Sequence, residues 1–190
     1  MSKTFWEDRW ENLQIGWDIG QVSPPIAEYI NQLENKALKI LIPGCGNAYE
    51  AEFLHKKGFT NVSIVDISIK AIDSFIKRYP NFPKQNIIHS DFFEIDGQYD
   101  LIIEQTFFCA INPSLRKKYV QKMITLLKPK GKLIGLLFNT EFSGGPPFGG
   151  DKDEYFNLFE NDFTIKTMEK AYNSIKPRED RELFIILEKK

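Results

Sequence analysis

The segment KILIPGCGNAYE (39–50) constrains the fold more than any other part of the chain. It runs from a short apolar strand into a Gly-Cys-Gly turn and then into the start of a helix. Gly44 and Gly46 permit the sharp turn and let a ligand approach the main chain closely. A second apolar strand, NVSIVD, ends at Asp66. A strand, a glycine-rich turn, a helix and an acid at the end of the next strand predict a nucleoside-binding α/β fold.

The residues around this turn exclude two common nucleotide ligands. A dinucleotide fingerprint that starts at Gly44 requires a third glycine at position 49, where the chain has Tyr49. The phosphate-binding pattern G-x-x-x-x-G-K-[ST] does not occur. Asp66 can accept hydrogen bonds from two ribose hydroxyls, and Asp91 with Phe92 can contact an adenine. The sequence therefore predicts an adenosine derivative without a pyrophosphate, the alternative for Asp66 being a polar residue at a helix entry.

Strands and helices alternate along most of the chain, which predicts parallel strands with helices on both faces of one sheet. Two further strands follow without a long helix between them, so we expect an antiparallel hairpin at the C-terminal end. The predicted strands are 38–42, 61–66, 86–93, 99–108, 132–138, 163–171 and 180–190. Ser23 and Ser68 are predicted helix caps. The predicted fold is a doubly wound, seven-stranded, mostly parallel sheet.

Length and composition limit the other possibilities. The 190 residues suit one domain, and we predict an N-terminal lid and helix in 1–35 and an α/β core in 36–190. A net charge of −1 gives no overall attraction for nucleic acid or an anionic membrane. Two cysteines and two histidines form neither a disulfide framework nor a Cys/His metal site. We expect a cytoplasmic monomer without nucleic-acid, membrane or metal partners.

Several motifs along the whole chain are typical of one family. They are WEDRW, GWDIG, ILIPGCG, SDFFE, EQTFFCAINP (104–113), LLKPKGKLI and GGPPFGG. In these motifs the chain resembles the thiopurine S-methyltransferase family of S-adenosylmethionine-dependent methyltransferases, which includes bacterial thiol and plant halide/thiol branches. The resemblance implies a Rossmann-like methyltransferase fold, S-adenosylmethionine as methyl donor and S-adenosylhomocysteine as product.

The resemblance also implies which residues bind the cofactor: Trp6, Trp10, Trp17, Gly44, Gly46, Asp66, Asp91, Phe92 and Gln105. The tryptophans belong to a segment that folds over the cofactor, and the glycines face its methionine part. Asp66 holds the ribose, and Asp91 and Phe92 flank the adenine. Gln105 lies near the amino-acid end of the cofactor. Aromatic faces stabilise cations by ~0.5–2 kcal/mol, so the tryptophans suit a sulfonium. Simple packing of a lid on the core is the alternative.

Methyl transfer from a sulfonium is an in-line displacement, so we expect alignment rather than a catalytic side chain to drive it. His55 and His89 lie outside the motifs, and Cys45 and Cys109 are predicted as packing residues. The predicted acceptor pocket is formed by Trp17, Phe107, Phe108, Pro147, Phe148 and Arg178. Core packing is the alternative for the adjacent phenylalanines, and exposed charge is the alternative for the arginine.

The function that fits these features is methyl transfer to a small-molecule thiol or thiopurine-like soft nucleophile. Halide or thiocyanate methylation is the alternative within the same class. A catalytically silent adenosylmethionine-binding protein is a second alternative. An NAD-dependent oxidoreductase is a third, disfavoured by Tyr49 and by the absence of a recognisable hydride-transfer grouping.

Overall fold

A computed structural model describes all residues, 1–190, and contains one seven-stranded sheet. Its strands are β1 (Ile40–Pro43), β2 (Val62–Asp66), β3 (Ile87–His89), β4 (Tyr99–Gln105), β5 (Leu127–Phe138), β6 (Phe163–Lys170) and β7 (Glu182–Lys189). The order across the sheet is β3-β2-β1-β4-β5-β7-β6. The first five strands are parallel, and β7 is antiparallel to both of its neighbours. The predicted fold class and the C-terminal hairpin are confirmed.

Six α-helices accompany the sheet: α1 (Lys3–Glu11), α2 (Pro24–Asn31), α3 (Tyr49–Lys56), α4 (Ile69–Arg78), α5 (Arg116–Leu126) and α6 (Lys152–Phe159). Ser68 caps α4 as predicted, because its hydroxyl accepts a hydrogen bond from the Ala71 N–H at 3.3 Å. Ser23 occupies the cap position of α2, but its side chain makes no capping hydrogen bond. The two prolines that open α2 have no N–H to offer it. None of the helices combines the length and apolar character that crossing a bilayer requires.

The hydrophobic core lies in two layers, one on each face of the sheet. Successive residues of β1 point to opposite faces, as strand geometry requires, and all are buried. Leu41 packs with Tyr119 and Met123 from α5 on one face. Ile40 and Ile42 pack with residues of α2, α3 and α4 on the other. Because β1 carries apolar side chains on both sides, helices cover both faces of the sheet.

Three strand boundaries differ most from the predictions. Strand β4 ends at Gln105 rather than at 108, because Phe108–Ala110 form a 3-10 turn. Strand β5 begins at Leu127, before the expected Pro-Lys-Gly turn, and its pairing with β4 jumps between Tyr99↔Leu127 and Leu101↔Lys132. The turn is therefore a bulge within a longer strand. Strand β3 ends at His89, earlier than expected, because Asp91 begins a 3-10 turn by accepting a hydrogen bond from the Phe93 N–H at 2.9 Å.

Candidate active site

A cavity of about 550 Å³ opens at the carboxyl ends of the parallel strands. It lies at the ends of the neighbouring strands β1 and β4, between which the strand order reverses. Open α/β sheets bind ligands at this point. Its walls come from the N-terminal segment, the glycine-rich turn, the ends of β2 to β4, the loop after β5 and the turn before β7. The fold alone therefore places one large site at this edge.

The glycine-rich turn has the sharp change of backbone direction that its sequence predicts. Gly44 and Gly46 have φ angles of 56° and 52°, in the left-handed region that glycine adopts without a steric penalty. The Gly46 N–H donates to Asp66 Oδ2 at 2.9 Å, and the Ser68 N–H donates to Asp66 Oδ1 at 2.9 Å. Burial raises the pKa of Asp66, while these backbone N–H groups oppose that rise. Each carboxylate oxygen retains lone pairs for a ligand.

The residues after β3 form the far wall of the cavity. Asp91 is exposed and caps the 3-10 turn with one oxygen. Phe92 is nearly buried, and its ring meets the Phe107 ring edge-on at a centroid distance of 5.1 Å. An acid and an aromatic ring therefore stand side by side at this wall, both lining the cavity.

Gln105 closes β4 at the middle of the site. It lines the cavity, and its Oε1 atom is buried without any hydrogen-bond partner in the protein. A buried acceptor without a partner costs about 1–3 kcal/mol, so such an atom is typical of a ligand-binding position. The next residue, Thr106, has a φ of 55°, which is unusual for a β-branched side chain and typical of a functional turn.

The N-terminal segment covers the cavity with its three tryptophans. Trp17 contacts Trp6 and Trp10 edge-on, at centroid distances of 5.6 and 6.3 Å, and all three line the cavity. Helix α1 is held to α4, because the Ile69 N–H donates to Glu7 Oε1 at 2.8 Å. The segment is thus a folded cover rather than an extended tail.

Two residues predicted for the acceptor pocket lie elsewhere. Phe108 is 1% exposed and packs in the core against Tyr119 and Tyr155, because the 3-10 turn 108–110 directs it away from the cavity. Phe148 lines a separate open cleft, since its backbone N–H is fixed to the Cys109 carbonyl oxygen at 2.7 Å. The other predicted pocket residues line the cavity: Trp17, Phe107, Pro147 and Arg178.

Glu104 supports this wall from behind and was missed from sequence. Its Oε1 atom accepts hydrogen bonds from the Phe107 and Phe108 N–H groups, both at 2.8 Å, and Oε2 accepts one from the Tyr119 hydroxyl at 2.7 Å. Burial raises the pKa of Glu104 to about 7, against these three hydrogen bonds. The sequence does contain a signal for Glu104, since it directly follows the apolar run LII in a buried strand. An acid buried in this way requires hydrogen-bond partners.

Two more cavity-lining acids, Asp18 and Glu50, were not predicted as site residues. Asp18 accepts a hydrogen bond from Gly20 N–H at 2.6 Å and another from the side-chain amide of Asn47. Glu50 is 5% exposed, and only the Ser23 N–H approaches it, at 3.5 Å. Burial raises the pKa of Glu50. Glu50 lies in the first turn of α3, where an acid is expected because it interacts favourably with the helix dipole. Its sequence position therefore gave no reason to predict a second role.

The histidines and cysteines take the structural positions expected of them. His55 Nδ1 lies 2.9 Å from the Tyr79 hydroxyl on the outer side of α3, and neither His55 nor His89 lines the cavity. Cys45 and Cys109 do line it, and burial raises the pKa of both thiols. Both thiols are therefore protonated and poorly nucleophilic.

Comparison with known proteins agrees with this geometry. The sequence profile of the family described as "Thiopurine S-methyltransferase (TPMT)" matches residues 1–188. The chain is 36% identical over 156 residues to the probable thiol methyltransferase 2 of Arabidopsis thaliana, covering 79% of this chain and 69% of that one. It is 32% identical over 149 residues to thiocyanate methyltransferase 1 of Brassica oleracea, covering 75% and 66%. The chain spans about two thirds of the length of these plant enzymes.

A solved structure with the same fold was crystallised with its ligands. It is the 1,6-didemethyltoxoflavin-N1-methyltransferase of Burkholderia thailandensis with bound 1,6-didemethyltoxoflavin and S-adenosylhomocysteine. The two chains superpose with a TM-score of 0.76 at 15% identity, over 98% of this chain and 86% of that one. At this identity the likeness establishes the fold alone.

Proposed function

The chain belongs to the thiopurine S-methyltransferase family of S-adenosylmethionine-dependent methyltransferases, and from this premise we propose that it methylates small-molecule thiols or thiopurine-like heterocycles. The predicted family, enzyme class and methyl donor are confirmed by the family match and the named relatives. The acceptor, the role of each site residue and the cellular setting are proposals.

Three features of the cavity support this assignment of the methyl donor's site. Asp66 offers acceptor lone pairs for ribose hydroxyls beside the glycine-rich turn. Gln105 has a buried, unpartnered Oε1 that can accept from the donor's ammonium group. Trp6, Trp10 and Trp17 offer aromatic faces to a sulfonium. When bound, S-adenosylmethionine supplies an electrophilic methyl group, and the chain's own residues orient it and exclude water.

The observation that carries the acceptor class is the apolar lining of the cavity around Arg178. The Phe138 ring centroid lies 5.8 Å from the Arg178 guanidinium, and the ring packs against Phe142. Phe107 and Pro147 line the same cavity, and Arg178 is buried. Apolar walls remove water from a nucleophile. A polarisable sulfur loses little by this desolvation, whereas a small, strongly hydrated anion loses much. We therefore assign the acceptor pocket to Trp17, these wall residues and Arg178.

Four further proposals concern the setting of the reaction. The chain acts as one domain, with residues 1–35 covering a core formed by 36–190. It acts as a monomer, in the cytoplasm, on a free small molecule. The near-neutral net charge of −1 supports an enzyme that engages neither nucleic acid nor an anionic membrane surface.

A methyl-transfer screen tests the proposed function. The acceptors are thiols, thiopurines, thiocyanate, iodide and phenols, with S-adenosylhomocysteine formation as the readout. We expect the highest kcat/KM with a thiol or a thiopurine. A clear preference for iodide or thiocyanate would transfer the assignment to the plant-type alternative. Thermal shift identifies a catalytically silent binding protein, which S-adenosylmethionine would stabilise although no acceptor is methylated. A ligand at ~100 times its Kd adds ~2.7 kcal/mol to stability without any turnover.

A further inference from the structure

Four carboxylates line the cavity, and three of them are already engaged by the protein: Asp18, Asp66 and Asp91. Each accepts at least one hydrogen bond of 2.9 Å or shorter from a backbone N–H. Such bonds fix the orientation of a carboxylate and occupy part of its acceptor capacity. The fourth carboxylate, Glu50, has no comparable bond.

Glu50 is mostly buried, and the protein barely engages its carboxylate. It is 5% exposed, and its one hydrogen bond from another residue, the Ser23 N–H, is 3.5 Å long, beyond the usual range. The following residues, Pro24 and Pro25, begin α2 and have no N–H to donate to it. Buried carboxylates are nearly always hydrogen-bonded, so these free lone pairs point to a ligand.

The neighbours of Glu50 place it away from the adenine side of the cavity. The charged and titratable groups that interact electrostatically with it are Arg178 from the turn before β7, Asp18 from the N-terminal segment and Cys45 from the glycine-rich turn. Strand β7 lies on the opposite side of β1 and β4 from β3, which leads to Asp91. Glu50 therefore lies between the glycine-rich turn and the side of Arg178, away from Asp91.

We propose that Glu50 is a catalytic base that accepts the proton of a neutral thiol acceptor, an inference that rests on the proposed function. The S–H proton moves to the Glu50 carboxylate and then to water. The electron pair left on the thiolate forms the new S–CH₃ bond. The methyl–sulfonium bond breaks, and its electrons stay on the neutral thioether that departs. The raised pKa that burial gives Glu50 makes it a stronger base than an exposed glutamate.

This assignment divides acceptors into two groups. A neutral thiol needs a base, whereas thiocyanate arrives as an anion and has no proton to lose. The expectation that alignment alone drives the reaction then holds for anions and not for thiols. Comparing a thiol with thiocyanate in one variant thus separates proton transfer from every effect that both reactions share.

The test is Glu50→Gln, which keeps the shape of the side chain and removes its basicity. We expect kcat/KM with 2-mercaptoethanol, an alkanethiol that is neutral at neutral pH, to fall ~100-fold or more, the usual contribution of a general base, and kcat/KM with thiocyanate to fall far less. The matched control is Glu52→Gln on the same helix. The Glu52 carboxylate pairs with Lys56 and Arg78 and does not line the cavity, so the control should leave the ratio between the two acceptors unchanged.

A second readout requires no variant. Because Glu50 accepts the proton from the bound neutral thiol, wild-type kcat/KM with 2-mercaptoethanol should stay level as pH rises through neutrality. A rise of about tenfold per pH unit, the behaviour of an enzyme that takes thiolate from solution, would overturn the inference even if Glu50→Gln failed to fold. Equal losses with both acceptors, or no loss with 2-mercaptoethanol, would also overturn it. A wild type inactive with every acceptor would refute the proposed function as well, which the other outcomes would not.

Discussion

The guanidinium of Arg178 donates a hydrogen bond to the backbone carbonyl oxygen of Trp17 at 2.7 Å, although 161 positions separate the two residues. This bond joins the turn before β7 to the N-terminal segment across the mouth of the cavity. Arg178 is 8% exposed, and it also faces the buried carboxylate of Glu182 at 3.5 Å. The cover of the site is thus fixed by a residue near the C-terminus.

Arg178→Met should destabilise the fold and loosen this cover. The change removes the bond to Trp17 and leaves Glu182, which is 3% exposed, with a hydrogen bond only from Ser174. Breaking a buried charge pair costs about 3 kcal/mol. Urea unfolding should report that loss, and limited trypsin digestion should cleave at Arg9 faster. Arg181→Met is the control, since Arg181 is exposed and forms no ion pair. Similar losses in both variants would contradict the prediction.

Trp10→Leu should weaken binding of the methyl donor more than binding of the product. The Trp10 ring reaches within 3.6 Å of the place where a Cβ at Gly46 would stand, so it covers the glycine-rich turn directly. The donor carries a sulfonium charge and the product does not. Losing a cation–π contact costs ~0.5–2 kcal/mol, and this cost should appear for S-adenosylmethionine alone. Calorimetric titration with both ligands measures the difference, and equal losses would assign Trp10 to packing.

Asp66→Ala should weaken cofactor binding by ~1.5–3 kcal/mol, the range for a hydrogen bond to a charged group. The substitution removes the acceptor for ribose hydroxyls and releases the Gly46 and Ser68 N–H groups. Calorimetric titration with S-adenosylhomocysteine checks it. Asp73→Ala, an exposed position on α4, serves as the control. An unchanged affinity in Asp66→Ala would remove this residue from the site.

Gly44→Ala should destabilise the protein by more than the cost of placing alanine at a positive φ. A Cβ at Gly44 would overlap the Phe107 ring, whereas a Cβ at Gly58 would meet nothing within 4 Å. Both glycines have positive φ, 56° and 86°, so alanine costs about 1–2 kcal/mol at either position. Gly58→Ala therefore measures the backbone cost alone. We expect Gly44→Ala to unfold at lower urea and to lose methyl-transfer activity, and equal stability of the two variants would refute the clash.

Glu104 should make the wild type lose stability as pH rises from 4.5 to about 7. Because burial raises the pKa of Glu104 from 4.5 to about 7, protonation favours the folded state. The stability that this gives is complete below pH 4.5 and is lost as pH rises to about 7, a change of about 3 kcal/mol. Urea unfolding of wild type and Glu104→Gln across this range checks it. The variant should lack this slope, and parallel curves would contradict the prediction.

The sequence predicted the elements that depend on local patterns. Apolar runs and glycine-rich turns identified every strand, and the Ser68 cap follows from its position before an amphipathic helix. The cavity followed from the strand order, because parallel strands end at one edge. These features need only neighbouring residues or a general rule of topology.

The predictions that differ from the structure concern side chains whose direction depends on residues distant in sequence. Phe107 and Phe108 are adjacent and alike, yet only Phe107 lines the cavity, because the Thr106 backbone and the Glu104 carboxylate set the turn that separates them. Glu50 was missed for a related reason. Its importance lies in the hydrogen bonds that it does not make, and those depend on the position of Ser23 rather than on any local pattern.

The loop 143–150 is anchored at its C-terminal end and open at its centre. Gly149 is held by Arg116, whose Nη2 donates to its carbonyl oxygen at 2.6 Å, and Phe148 N–H is held by Cys109. Pro146 and Pro147, which line the cavity, lie before these anchors. In the acceptor pocket that we propose, the central residues of this loop can therefore be exchanged while its anchors stay in place. A mutant library aimed at altered acceptors should randomise 143–147 and preserve Arg116, Cys109 and Gly149.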